Sequence, residues 1–198
     1  MQKIEQLKYC LYITVVIFSA ACDGSANHNQ DKSFPDKNLK VVIIRHGEKP
    51  AKQSDGGDNL SCQGQNRALQ LATVLYQKIG KPDYVYVPAL GMDKSTSHSR
   101  MFQTVTPFAV KYDLSINSKY DESKLSDVAN SVLKKNGTVL MVWQHSAIPD
   151  LASALGVDKP PKWREADFDS MWIVTYASGT AELTLEQEGL SPPKSCNF

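Results

Sequence analysis

A run of four β-branched apolar residues, Val41-Val42-Ile43-Ile44, breaks off at Arg45-His46-Gly47-Glu48. Valine and isoleucine favour extended backbone, and an unbroken apolar run of this length suits a strand buried on both faces. Such strands belong to parallel sheets covered by helices. Polar groups at the end of the strand then lie at the carboxyl edge of the sheet, where open α/β folds bind their ligands. The residue types found there suit phosphate. A neutral imidazole can attack phosphorus, and a guanidinium can hold two phosphate oxygens side-on.

The pattern beyond this strand alternates. Leu39–Arg45 is the first predicted strand, and Gly47 to Leu60 is a polar loop containing Gly56-Gly57. Ser61 reads as a helix N-cap, because Ala68, Leu71, Ala72, Leu75 and Ile79 then recur at helical spacing until Gly80 and Pro82. Tyr84–Val87 is a second strand, followed by a Ser/Thr-rich loop. A helix is predicted from Ser99 to Lys111, with Pro107 either kinking it or delaying its start. Leu114–Ile116 is a short strand, and Leu125 to Leu133 an amphipathic helix closed by Gly137. Thr138–Trp143 is a strongly apolar strand ending at Gln144-His145, and Ile148–Leu155 is a short helix with Pro149 in its first turn. Met171–Tyr176 and Ala181–Leu185 form a hairpin through Ser178-Gly179. The expected architecture is a three-layer α/β/α sandwich. Its central sheet is mostly parallel, with an antiparallel hairpin at one edge.

The first residues differ from the rest. Lys3 and Lys8, the apolar run Leu11–Phe18 and the small residues Ser19-Ala20-Ala21 have the layout of a secretory signal, and the run is too short for a comfortable permanent span. Cys22 follows directly. A cysteine at that point is expected to carry a lipid, although Ser19-Ala20-Ala21 also suits an ordinary signal peptidase. The polar stretch that follows reads as a tether. The expected organisation is a signal peptide at 1–21, a flexible tether at 22–38 and one folded domain at 39–198. The localisation is exported, in the periplasm or cell envelope, with Asp23 after Cys22 resembling an inner-membrane retention signal. Of 22 basic and 21 acidic residues, Lys3, Lys8 and Glu5 lie in 1–21, which leaves 20 of each. That balance gives no basic surface for nucleic acid.

With Cys10 removed and Cys22 lipidated, Cys62 and Cys196 remain. In an oxidising compartment they are a disulfide candidate that would pin the C-terminal tail to the loop after the first strand; the alternative is two free thiols.

Three elements carry the chemistry. Arg45-His46 ends one strand, a loop after the second leads to Arg100, and His145 follows a third. In a parallel sheet all three open onto one edge. Two histidines and two arginines make a site for a phosphoryl group: arginines orient the oxygens, one histidine attacks, and the other donates to developing charge. Two histidines among arginines repel a divalent cation and no carboxylate cluster adjoins them, so no metal or other cofactor is expected. Lys49 and Lys94 are candidates to extend the positive charge, and Trp163 is a candidate for the rim.

These segments resemble the histidine phosphatase superfamily, also called phosphoglycerate mutase-like, over Leu39 to Tyr176. The Arg-His-Gly motif stands as Arg45-His46-Gly47 and the Leu-Ser…Gly…Arg-Ala segment as Leu60-Ser61…Gly64…Arg67-Ala68. The Ser-Arg…Gln-Thr…Pro segment stands as Ser99-Arg100…Gln103-Thr104…Pro107, and the second histidine as His145. Four segments in order are far more specific than one. The resemblance implies a phosphatase acting on a phosphomonoester or phosphoramidate. His46 would be transiently phosphorylated, and Arg45, Arg100 and His145 would line the phosphate pocket. The expected partners are a small phosphorylated substrate and, through the lipid anchor, a membrane. A phosphoglycerate mutase is the second enzyme reading, and a phosphate-ligand binder without turnover is the third.

Two positions depart from the family. Gln144 replaces a common glycine before the second histidine, and Ser146 replaces the aspartate that many acid phosphatases carry after it. The general acid is therefore open: Glu48 is the first choice by proximity, Asp121 or Glu122 in the loop after Ile116 comes next, and Asp150 follows.

Overall fold

A computed structural model describes residues 37–51, 58–92, 96–196 and 198. The predicted signal, the lipidation site Cys22, most of the tether, Gly56-Gly57 and Lys94 lie outside the described residues. The chain order is β1 (Lys37–Arg45), α1 (Cys62–Ile79), β2 (Tyr84–Tyr86), β3 (Gly91–Met92), β4 (Thr96–Ser97), α2 (Ser99–Tyr112) and β5 (Ile116–Asn117). It continues with α3 (Leu125–Val132), β6 (Gly137–Trp143), α4 (Ile148–Ala154), β7 (Ser170–Ala177) and β8 (Thr180–Gln187).

Six strands form one sheet in the order β5-β2-β6-β1-β7-β8. β1, β2, β5 and β6 run parallel, while β7 pairs antiparallel with β1 and with β8. The alternation of side chains along β1 feeds two cores. Val41 and Ile43 pack with α3 and α4, through Val128, Val132, Ile148 and Leu151. Val42 and Ile44 pack with α1 and α2, through Leu71, Leu75, Val105 and Phe108. Both faces of the strand are apolar because both are covered. The fold is the expected three-layer sandwich, and the hairpin sits at its edge. Ser178 and Gly179 both have positive φ, 53° and 79°, as a two-residue turn matched to strand twist requires.

Several element ends move. β1 starts at Lys37, so the tether expected to run to residue 38 stops short of it. Gly137, expected to close α3, instead opens β6 with φ of 87°. α2 starts at Ser99 and continues through Pro107 to Tyr112. The small β3–β4 hairpin was not expected, since two-residue strands carry no readable period. Trp163, a candidate for the rim, is buried in the α3/α4-side core against Trp172, 5.1 Å between ring centres.

Candidate active site

β1 and β6 lie side by side in parallel register, with Arg45 opposite Trp143, and the His46 amide donates to the Trp143 carbonyl at 3.2 Å. His145 is two residues beyond Trp143, so both histidines leave neighbouring strands at the same edge. Two helix starts close in below them. The Gly47 amide donates to Thr104 Oγ1 at 2.9 Å, and Thr104 donates back to the Arg100 carbonyl at 2.7 Å. From the other side, Ser61 caps α1 by accepting from the Gly64 amide and ties that helix to the Glu48 carbonyl through its own N–H (2.8 Å) and hydroxyl (3.0 Å). Gly64 is a glycine because a Cβ there would strike the Glu48 backbone, and Gly47 because a Cβ would sit 2.8 Å from the Gly64 carbonyl oxygen.

His46 is 3% exposed. Its Nδ1 lies 2.7 Å from the Gly47 carbonyl, which can only accept. Nδ1 therefore carries the proton and Nε2 keeps its lone pair. Burial pulls the His46 pKa down to about 4, against the Gly47 carbonyl, with the charges of Arg45, Arg100 and His145 adding to the fall. At that pKa the ring is neutral at pH 7 and its Nε2 carries a lone pair.

Arg45 is 1% exposed. Its Nη1 donates to the carbonyls of Glu165 and Asp167, and the guanidinium stacks on Phe168 with 3.7 Å from Cζ to the ring centre. Burial lowers its pKa to about 10, so it stays charged at neutral pH. Its Nε and Nη2, the side-on edge that grips an oxyanion at two points, are buried without a partner among the described residues, as is His145 Nδ1. Burial first, then the charge of Arg45, lowers the His145 pKa; the charge of Lys49 also reaches this ring. Arg100 lies in the first turn of α2. Its Nη2 pairs with Asp58 at 2.6 Å and its Nε donates to the Asn59 carbonyl at 3.2 Å.

Glu48 is engaged by Arg67. Its two carboxylate oxygens accept three bonds from Arg67, at 3.1, 3.1 and 2.9 Å. Arg67 also pairs with the fully buried Glu188 and reaches Asp169 at 3.5 Å. The structure thus places Glu48, the first-choice general acid, in a buried ion pair with Arg67. Asp121 is exposed and accepts from the amide and hydroxyl of Ser123 at 2.9 and 2.6 Å, which lowers its pKa. Asp150 is exposed on α4. Glu122 is different. It is half-buried, burial raises its pKa, and it lines a cavity of about 350 Å³ with His98, Gln144 and Ser146, the last two flanking His145. Its backbone carbonyl is fixed by the Trp143 indole N–H at 3.2 Å.

Sequence reasoning missed Thr104, Phe168 and the Glu122–His98 pair. Only Thr104 had a local signal, as a polar residue one turn after Arg100 that is buried in the helix. Cys62 and Cys196 are bridged, with Cα atoms 4.9 Å apart, at the start of α1. No three His, Cys, Asp or Glu side chains cluster as a metal site among the described residues.

No protein-family model matches the chain, and no curated protein matches it. Solved structures do. The protein histidine phosphatase SixA complexed with tungstate superposes with a TM-score of 0.55 at 17% identity, covering 75% of this chain and 97% of that one. A mycobacterial glucosyl-3-phosphoglycerate phosphatase with inorganic phosphate gives 0.53 at 15%, covering 77% and 99%. A phosphoserine phosphatase from Entamoeba histolytica gives 0.52 at 14%, covering 76% and 97%. The chain has the phosphoglycerate mutase-like fold. Within that fold Arg45 and His46 stand at the carboxyl edge at β1 and His145 at the edge at β6.

Proposed function

We propose that this protein is an exported phosphatase that hydrolyses a phosphomonoester or phosphoramidate through a phosphohistidine at His46, without a metal ion. One observation carries the reading: the side-on edge of a buried, charged Arg45 and the Nδ1 of His145 are both unpartnered beside a neutral His46 whose Nε2 is free to attack. Burying such groups unpaired costs several kcal/mol in general, and an oxyanion relieves that cost. Arg45 orients two non-bridging oxygens, Arg100 adds charge, and His145 donates to a third oxygen as negative charge develops. His46 Nε2 forms a bond to phosphorus as the bond to the leaving oxygen or nitrogen breaks. Glu122 gives that atom its proton, then takes a proton from the water that hydrolyses the N–P bond. The likeness to phosphatases acting on phosphohistidine, phosphoserine and a sugar phosphate supports the reaction class. The export and lipid anchor rest on the layout of residues 1–21 and on Cys22.

The test is a screen of phosphomonoesters and phosphoramidates in the presence of a chelator, with His46→Ala as control, and capture of an acid-labile, base-stable phosphoprotein. Turnover that survives in the control overturns the mechanism. Fatty-acid labelling that persists in Cys22→Ser overturns the anchor.

A further inference from the structure

Glu122 does not stand alone. His98 Nε2 lies 2.9 Å from Glu122 Oε2, and the other ring nitrogen, Nδ1, lies 3.1 Å from the Ala89 carbonyl. That carbonyl accepts and never donates, so Nδ1 carries a hydrogen in every state of the ring. The consequence is a constraint on the other side. Either His98 is neutral and its Nε2 accepts from a protonated Glu122, or His98 is a cation and donates to a Glu122 carboxylate. In both cases one proton sits on the bond between them.

The ring is built into place. His98 takes a left-handed backbone conformation, φ 60° and ψ 15°, at the start of α2, a region uncommon for non-glycine residues in which Asn, Asp and His are the enriched types. The Ala89 segment that holds Nδ1 is itself tied to the Glu122 loop by the Ala89 amide donating to the Tyr120 carbonyl at 2.7 Å. Both members of the pair line the cavity that Gln144 and Ser146 share, and those two residues flank His145 in the chain. The other charged groups acting on Glu122 are Asp58, from the segment leading to α1, and Asp121 beside it; Lys124 at the start of α3 acts on Asp121.

We propose that His98 is a positioning residue for proton donation: it and Glu122 form a pair that stores the proton delivered to the leaving group, so that the donor stays loaded at pH values where a lone exposed glutamate has lost its proton. This rests on the phosphatase reading above. In the first step the proton leaves Glu122 for the departing oxygen as the P–O bond breaks and the His46 N–P bond forms. In the second step the attacking water returns a proton to the pair as the N–P bond breaks, so the pair ends each cycle as it began.

The experiment compares wild type, His98→Gly and Glu122→Gln on p-nitrophenyl phosphate, whose leaving group needs no proton, and phenyl phosphate, whose leaving group does. Glycine accepts the left-handed backbone, and His98→Asn, which also tolerates it, serves as a second variant if the first does not fold. The expected result is a loss about tenfold or more greater on phenyl phosphate than on p-nitrophenyl phosphate, of the size general acid catalysis commands. Added imidazole is expected to restore phenyl phosphate turnover in His98→Gly, which a structural role does not predict. The alkaline limb of the phenyl phosphate profile is expected to move to lower pH in His98→Asn, and the His98→Gly/Glu122→Gln double variant to lose no more than Glu122→Gln alone. Equal losses on both substrates, no rescue by imidazole, or losses that multiply in the double variant overturn the inference while leaving the phosphatase reading intact. A wild type that cleaves neither phosphate and forms no phosphohistidine overturns that reading and this inference with it.

Discussion

Replacing Glu48 by glutamine separates the two roles that its position offers. The carboxylate lies at the end of the motif that carries the nucleophile, yet all its bonds go to Arg67, in a cluster where the Arg67 side chain is 4% exposed and that of Glu188 is 0%. Hydrogen bonds to charged groups contribute about 1.5–3 kcal/mol each to stability. A glutamine keeps one acceptor oxygen, and Glu188 and Asp169 still neutralise Arg67, so a net loss of about 1–2 kcal/mol is expected. For a domain of this size each kcal/mol moves the midpoint by about 2–4 °C. The Tm is therefore expected to fall by about 2–8 °C. Arg67→Met strips the counter-charge from two buried carboxylates and is expected to cost about 3–5 kcal/mol. Part of that is recovered because burial favours the protonated form of Glu188, which takes a proton once Arg67 no longer holds it charged. The assay is thermal unfolding by circular dichroism at pH 7 without reductant, with rates on phenyl and p-nitrophenyl phosphate measured on the same samples. Glu48→Gln is expected to melt lower while both rates change in the same proportion. A variant that melts like wild type but loses phenyl phosphate turnover at least tenfold more than p-nitrophenyl phosphate turnover refutes the reasoning, because only a proton donor produces that split.

Arg45→Lys keeps the charge but loses the side-on fork and the stack on Phe168; kcat/KM on p-nitrophenyl phosphate is expected to fall about 100-fold, and a loss below about threefold argues against a bidentate grip. The His46 pKa is depressed to about 4, so the nucleophile stays unprotonated as pH falls from 7 through 5 and is lost only near 4. The acid limb of kcat/KM, corrected for ionisation of the substrate, is expected there, and a limb at the ordinary histidine value contradicts the burial account. The Cys62–Cys196 bridge closes 134 residues; reductant is expected to cost wild type about 2–5 kcal/mol by thermal unfolding and to leave Cys196→Ser unchanged.

The parts of the fold that could be read from the chain are those whose signal is local. Val41–Ile44 and Thr138–Trp143 read as strands because each is covered on both faces. Ser61 reads as a cap because its hydroxyl serves an amide three residues on. Arg45, His46, Arg100 and His145 could be named because each closes or opens an element whose pattern is plain. Glu48 could not be assigned: the residue that decides its role, Arg67, is 19 positions away, and Glu188 and Asp169 come from the far end of the chain. Phe168 packs on Arg45 from a stretch with no regular pattern. Which of Glu48, Asp121 and Glu122 meets Arg67, Ser123 or His98 depends on folding, which no spacing encodes.

Residue order alone determined the layered α/β architecture and the sheet edge at which Arg45, His46 and His145 stand, because hydrophobic period and strand ends are properties of neighbouring residues. Only the tertiary structure decided which carboxylate is spent on a buried arginine and that His98 and Glu122 meet. Those outcomes depend on desolvation and on distances between segments that the chain brings together only by folding.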